Sequence, residues 1–239
     1  AMQIEDMPKD RGKHAAGVII CSIPVSDKVP LARNDEDIVT QFDMIECEEL
    51  GLLKMDFLAL KTLTDIDMTK RFLKKYRNKE IDFHELGYED QETYKMIGEG
   101  DTDTVFQLES GGMKDFMRKL KPSILEEIIA GVSLYRPGPM SYIPAYITNK
   151  FNPDKIDYQH PKLVDILKTT YGIVVYQEQA MRITQALAGY TLNEADNFRK
   201  FISKKKVDQI PAQRKKFVDG CVKNNISEEF ALSMWNKLE

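Results

Sequence analysis

A cation and a carboxylate lie two residues apart in the short apolar segment GLLKMDFLALKTLT, residues 51–64. Side chains alternate along a β-strand, so Lys54 and Asp56 would be neighbours on one face of such a strand. The opposite face is entirely apolar and is predicted to belong to a core: Leu53, Met55 and Phe57. A carboxylate can bind a divalent metal ion, and an ammonium group beside it can neutralise a phosphate. The pair therefore suits phosphoryl or nucleotidyl transfer.

The same spacing also fits a strand that carries an exposed ion pair with no chemical role. Such pairs are common on protein surfaces and contribute only ~0–1 kcal/mol to stability. The spacing of Lys54 and Asp56 leaves both interpretations open. His14 precedes an apolar run, and there a structural hydrogen bond is favoured over general-base catalysis.

Charge is distributed unevenly along a chain whose formal net charge is −4. Residues 35–49 contain seven acidic and no basic side chains. Residues 199–223, the basic segment, contain nine basic side chains against two acidic ones. A locally basic segment can steer a polyanion even when the whole protein is acidic, so nucleic-acid binding is compatible with this chain.

Several classes of protein are disfavoured. No window approaches the ~18–20 apolar residues of a membrane-spanning helix, and no signal peptide is recognisable. Three scattered cysteines predict reduced thiols in the cytoplasm rather than a disulfide framework or a zinc site: Cys21, Cys47 and Cys221. The histidines are equally scattered, which disfavours a histidine-rich metal site.

The predicted architecture is α+β. Strands are expected within 15–22, 38–42 and 51–57, and a helix over about 62–76. Later helices are expected after Asp90 and Ser110, after capping boxes at 123–126 and 191–194, and from Ser227. The sequence thus predicts a small β-containing domain over 1–61 and a longer helical domain over 62–239. The Ala-Met start and the uncapped helical end suggest a segment excised from a longer protein.

Six motifs in order resemble the α subunit of bacterial DNA polymerase III, from about residue 7 to the end. They are HAAGVII at 14–20, TQFD at 40–43, KMDFL with LKTLT at 54–64, VFQLES at 105–110, YRPGP at 135–139 and YGIVVYQEQ at 171–179. The resemblance implies the C-terminal part of a polymerase β-like nucleotidyltransferase palm followed by part of a helical fingers domain.

In this family three aspartates bind two Mg²⁺ ions, and Asp56 matches the third of them. Lys54 matches a lysine near the primer terminus and the incoming nucleotide. The first two aspartates belong to an Asp-x-Asp motif that would lie upstream of residue 1. Because one carboxylate cannot hold two metal ions, we expect that this segment alone does not polymerise.

In the fingers, Arg199 and Lys200 match two arginines that contact the incoming triphosphate. Lysine at the second position keeps the charge but lacks the bidentate fork of arginine. Ser203-Lys204-Lys205-Lys206 resembles the family's Gly-Lys-Lys-Lys, which predicts nucleotide contact by Lys204 and DNA contact by Lys205 and Lys206. Arg136, before Pro137-Gly138-Pro139, either contacts DNA or anchors its loop to the core.

The resemblance predicts primer–template DNA and dNTP as partners, with the sliding clamp and other replicase subunits in the intact protein, and no membrane. Two other interpretations stay open on the residues alone. One is a non-catalytic nucleic-acid-binding module that uses the basic segment, and the other is a scaffold whose charges are merely solvated.

Overall fold

The structure is a computed structural model that describes residues 12–204 and 209–238, apart from the side chains of Ser203 and Lys204. The described chain forms two compact units that divide between Ile81 and Asp82. The two units are defined by their compactness and not by a function. The palm–fingers boundary expected after residue 61 therefore stays a prediction.

The first unit contains two small antiparallel sheets. Its elements are β1 (Gly17–Ile20), β2 (Leu31–Asn34), β3 (Asp37–Thr40), α1 (Met44–Glu49), β4 (Leu53–Asp56) and α2 (Lys61–Arg77). β1 pairs with β4 and β2 pairs with β3. Strands thus lie where the sequence predicts them. β2 is an additional strand, and Asp35 provides the left-handed turn residue (φ 55°) of its hairpin with β3.

The apolar side of β4 is not buried in the described unit. The prediction that this side belongs to a core is therefore wrong. Leu53, Met55 and Phe57 are 58%, 43% and 64% exposed. Val18 and Ile20 pair with Met55 and Leu53 across the two strands, and they are also exposed. We call Val18, Ile20, Leu53 and Met55 the apolar face.

The core of the first unit forms on the other side of this sheet, where Lys54 and Asp56 lie. Val29, Cys47 and Leu52 are buried there, and Ile19 packs against them. Asp43 caps α1 through a reciprocal pair of hydrogen bonds with Glu46. This capping box fixes the start of the helix that brings Cys47 against the sheet.

The second unit is helical. It contains α3 (Gln91–Glu99), α4 (Gly111–Leu120), α5 (Leu125–Leu134), α6 (Ile143–Lys150), α7 (Val164–Leu167), α8 (Gln177–Ala188), α9 (Leu192–Lys204), α10 (Ile210–Lys223) and α11 (Glu228–Leu238). Short 3₁₀ segments join several of these helices. The prediction of an α+β chain that is mostly helical after its strands is confirmed.

Most of the predicted helix starts are made by the expected side chains. Asp90 and Ser110 accept hydrogen bonds from the first turns of α3 and α4, and Ser227 does so for α11. Thr191 and Glu194 form the capping box of α9. The capping box expected at 123–126 is wrong, because Glu127, not Glu126, accepts the backbone N–H of Ser123.

Two apolar clusters hold the second unit together. One is built from α3, α4, α5 and α6 and includes the fully buried Met117, Leu134 and Tyr146. The other gathers α8 to α11 around Trp235, whose ring lies 5.7 Å from that of Phe198. Among the helices that the structure describes, none has the length and apolar character to cross a membrane.

Candidate functional site

Strand β4 places the Lys54 ammonium 2.7 Å from Oδ1 of Asp56. The Asp56 side chain is about half exposed, whereas that of Lys54 is 21% exposed. The hydrogen bond from Lys54 lowers the pKa of Asp56 below its ordinary value, and this outweighs desolvation. Asp56 is therefore an ionised carboxylate at neutral pH, and its negative charge is offset by the neighbouring Lys54 ammonium.

Gly17 provides the space in which this pair sits. It is the direct partner of Asp56 in the β1–β4 ladder. A Cβ atom on Gly17 would lie 2.6 Å from Cε of Lys54 and 3.1 Å from Oδ1 of Asp56. It would also lie 2.8 Å from Nδ1 of His14. Only a residue without a side chain allows the three polar groups to converge at this point.

His14 takes part in this cluster as well as in its own turn. Its Nδ1 accepts a 3.3 Å hydrogen bond from the backbone N–H of Ala16, as expected for a structural histidine. The same nitrogen lies 3.7 Å from Oδ1 of Asp56. Lys54 and His14 also line a cleft of about 700 Å³ in this unit, beside Asp43 and Thr40.

In the second unit, α9 holds Arg199 and Lys200 beside a shared carboxylate. Phe198 and Phe201 are buried in the core, so the two cations project from the accessible side of the helix. Arg199 donates from Nε and Nη2 to Oδ1 of Asp196, at 3.0 and 2.8 Å. The Lys200 ammonium lies 2.8 Å from Oδ2. Hydrogen bonds from Lys200 and then Arg199 lower the pKa of Asp196.

Arg136 is exposed in the loop after α5. Its guanidinium has no hydrogen-bond or ion-pair partner within the described residues, and only its backbone is bonded, to Leu134 and Met140. The side chain thus does not tie the loop to the described core. Lys204 closes α9, but its side chain, together with Lys205 and Lys206, lies outside the described part of the chain.

Comparison with known proteins decides the family. The model of the bacterial DNA polymerase III alpha subunit finger domain matches residues 62–225. The model of the bacterial DNA polymerase III alpha NTPase domain matches residues 1–59. The chain belongs to the bacterial DNA polymerase III alpha subunit family.

Curated relatives named DNA polymerase III subunit alpha align with nearly the whole length of this family member. The protein from Aquifex aeolicus (strain VF5) is 44% identical over 100% of the chain, and that from Bacillus subtilis (strain 168) is 44% identical over 99%. The protein from Thermus aquaticus is 46% identical over 100%. The chain spans about a fifth of the length of these relatives, 21%, 21% and 20% respectively.

The described residues supply one carboxylate at the β4 cluster that could bind a metal ion. Asp56 is ionised, accessible and able to act as one oxygen ligand of Mg²⁺. The described part of the chain contains no group of three or more His, Cys, Asp or Glu side chains that could hold a metal ion. Asp56 therefore fits one ligand position, but it does not complete a two-ion site.

Three neighbours of the predicted site residues were not expected from the sequence. Asp196 precedes Arg199 and Lys200 by three and four residues, a helical spacing that could have identified it. Gly17 and His14 lie far from Asp56 in sequence, and only the strand register brings them together.

Gln179, in the YGIVVYQEQ motif, has a structural role. Its side chain is buried. Its Oε1 accepts from the backbone N–H groups of Val175 and Tyr176, and its Nε2 donates to Thr170 and Ile166. These hydrogen bonds of Gln179 stabilise the start of α8. Tyr176 packs against the core of this unit.

Proposed function

We propose that this chain is the part of a DNA-directed DNA polymerase that joins the nucleotidyl-transfer site to the triphosphate-binding helix. The observation that carries the proposal is the ionised Asp56 on β4 with the Lys54 ammonium beside it, in a member of the alpha-subunit family. The match to the family favours this function over a non-catalytic nucleic-acid-binding module or a scaffold.

In this proposal, residues 1–61 are the C-terminal portion of a nucleotidyltransferase palm, and Asp56 is one ligand of catalytic Mg²⁺. A bound Mg²⁺ ion would stabilise charge on phosphate oxygens and lower the pKa of an attacking hydroxyl. Lys54 keeps the Asp56 carboxylate oriented and ionised, and its charge can neutralise a phosphate of the incoming nucleotide. Gly17 leaves the space that both side chains occupy.

Residues 62–239 then belong to the fingers. Arg199, Lys200 and Lys204 bind the triphosphate of the dNTP, while Arg136, Lys205 and Lys206 contact DNA. The accessible position of Arg199 and Lys200 on α9 supports these roles, as does the exposed guanidinium of Arg136, which has no ion-pair partner among the described residues. Sliding-clamp and replicase-subunit partners are expectations that rest on the resemblance alone. A cytoplasmic location is an expectation from the three scattered cysteines.

Primer extension tests the central assignment in a protein of the relatives' full length that carries this segment. We expect Asp56→Asn to abolish extension while primer–template affinity is retained. Asp67→Asn is the matched control, since Asp67 has similar exposure and pairs with Arg71 at 2.8 Å in the same unit. Equal extension by wild type and Asp56→Asn would show that Asp56 is structural.

The 239-residue chain by itself is expected not to extend a primer, because Asp56 is a single carboxylate. A salt titration of DNA binding by the same chain adds a second comparison. Phosphate contacts predict a binding constant that falls steeply with salt, whereas a scaffold predicts no salt-dependent affinity. Extension by the isolated chain would contradict the requirement for additional carboxylates.

A further inference from the structure

The two cations proposed to bind triphosphate are already bridged by one carboxylate. Oδ1 of Asp196 accepts two N–H groups of Arg199, and Oδ2 accepts the ammonium of Lys200. The three side chains lie on one accessible side of α9, with 32% of Arg199, 32% of Asp196 and 56% of Lys200 exposed. The anion that bridges the pair is thus part of the same helix.

The arrangement has the geometry of a bound oxyanion. One oxygen lies against a guanidinium and the other against an ammonium, each at about the distance of a charge-assisted hydrogen bond. A phosphate group that approached the pair would need the same donors. The carboxylate and a phosphate oxygen therefore compete for Arg199 and Lys200.

The carboxylate can leave these donors without disturbing the helix. Exposed ion pairs three or four residues apart contribute little to stability. The helix is instead fixed by Phe198 and Phe201, which pack on Trp235. Thr191 and Glu194 cap its first turn independently of Asp196.

We propose that Asp196 is an internal counterion that occupies the Arg199–Lys200 pair in the free protein and gives it up to a triphosphate. This proposal rests on the triphosphate-binding role of the pair. In the free protein the carboxylate bridges the two cations, offsets one of their two positive charges and keeps them side by side. On binding, oxygens of the triphosphate replace the oxygens of Asp196, so this residue sets the affinity for the ligand.

A purely structural role for Asp196 would predict the opposite effect on triphosphate affinity. If Asp196 only held the two cations in place, its removal would weaken triphosphate binding. A counterion beside a polyanion repels every charge of that polyanion, and the repulsion is larger than the small ordering effect of an exposed ion pair. Removal of the carboxylate should therefore strengthen binding.

Calorimetric titration of the full chain with inorganic tripolyphosphate at low salt distinguishes the two roles. We expect Asp196→Asn to bind about three- to tenfold more tightly than wild type. Asp115→Asn is the matched control, because it removes the same charge and the same type of pair, with Arg118 at 2.7 Å, from another helix. Its affinity should stay within about twofold of wild type. Equal or weaker binding by Asp196→Asn would overturn the counterion role.

Two further variants separate this inference from the proposed site. Arg199→Gln and Lys200→Gln should each weaken binding. If neither does, or if wild type and Asp196→Asn both fail to bind, the triphosphate site is itself wrong. If both weaken binding while Asp196→Asn equals wild type, only the counterion role fails.

A spectroscopic readout does not depend on any variant folding. In the NMR spectrum of wild type, the Nε–H resonance of Arg199 should move when tripolyphosphate replaces the Asp196 carboxylate. An unchanged resonance at saturating tripolyphosphate would contradict the exchange.

Fluorescence of Trp235, the single tryptophan, reports whether the α9 core of each variant is intact.

Discussion

Gly17 and Asp56 are direct partners across the β1–β4 ladder. The absent side chain of Gly17 is what allows the Asp56 carboxylate to meet the Lys54 ammonium above the sheet. A position that carries no functional group therefore controls the geometry of two groups that do.

Replacement of Gly17 by alanine should impair the site without unfolding the unit. The new Cβ would overlap the ends of side chains, chiefly Cε of Lys54 and Nδ1 of His14, which can move aside. Displacement of a reacting group by about 1 Å can cost about 100-fold in rate, so we expect a 10- to 100-fold loss of primer extension in the longer protein. Gly12→Ala is the control, because no atom of the described residues lies within 4 Å of its Cβ position.

The melting temperatures of the two variants complete this test. Similar melting temperatures for Gly17→Ala and Gly12→Ala, together with loss of extension only in the former, would place the effect at the site. Full extension by Gly17→Ala would mean that the positions of Lys54 and Asp56 tolerate the displacement.

Glu194 should contribute to stability in a pH-dependent way. Hydrogen bonds from Thr191 and then Lys216 lower its pKa from 4.5 to about 2. A lowered pKa in the folded state stabilises the protein above pH 4.5, and this stabilisation is lost as the pH falls through 2. We expect Glu194→Gln to reduce the melting temperature by about 2–4 °C at pH 7 and by progressively less between pH 4.5 and pH 2.

Glu228→Gln provides the comparison for this capping residue. Glu228 also lies in the first turn of its helix, α11, where the described cap is made by the hydroxyl of Ser227. The two variants should differ at pH 7 and converge at acid pH. A pH-independent difference would show that the effect of Glu194 does not come from its ionisation.

Local signals in the sequence predicted much of the fold. The caps at Asp90, Ser110 and Thr191 depend on neighbouring residues, and the structure contains all three. β2 was missed because Leu31–Asn34 has no β-branched residue and no alternating apolar pattern.

Features that depend on long-range pairing could not be read from the sequence. The buried side of β4 depends on which layer packs on it, and the apolar pattern of Leu53, Met55 and Phe57 pointed to the wrong face. The sequence predicts that Lys54 and Asp56 are neighbours, and the structure places them 2.7 Å apart. Gly17 and His14 required the strand register.

Glu127 forms a buried ionic network that should be important for the stability of the second unit. Its carboxylate accepts from Lys150 at 2.9 Å, from Tyr171 at 2.5 Å and from the backbone of Ser123 at 2.7 Å. Burial by itself would raise the pKa of Glu127, but the hydrogen bonds from Tyr171, Lys150 and Ser123 outweigh it and lower the pKa.

Truncation of Glu127 should leave the buried Lys150 ammonium without its counterion. We expect Glu127→Ala to destabilise the unit by about 3–5 kcal/mol in urea unfolding. Glu126→Ala, at the adjacent exposed position, should change stability by less than about 0.5 kcal/mol. Equal stabilities of the two variants would mean that the network is replaced by water at no cost.

The apolar face should cause the isolated chain to self-associate. Val18, Ile20, Leu53 and Met55 present a contiguous exposed surface on a two-stranded sheet, and the described residues do not cover it. Burial of apolar area favours association, and open strand edges offer unpaired backbone groups.

We expect sedimentation to show a mass that rises with concentration. The double variant Leu53→Thr/Met55→Thr should weaken this association about tenfold. Ile38→Thr removes an exposed apolar side chain from the other sheet and should leave the association unchanged. A constant monomer mass for wild type would show that exposure of the apolar face is not enough to drive pairing.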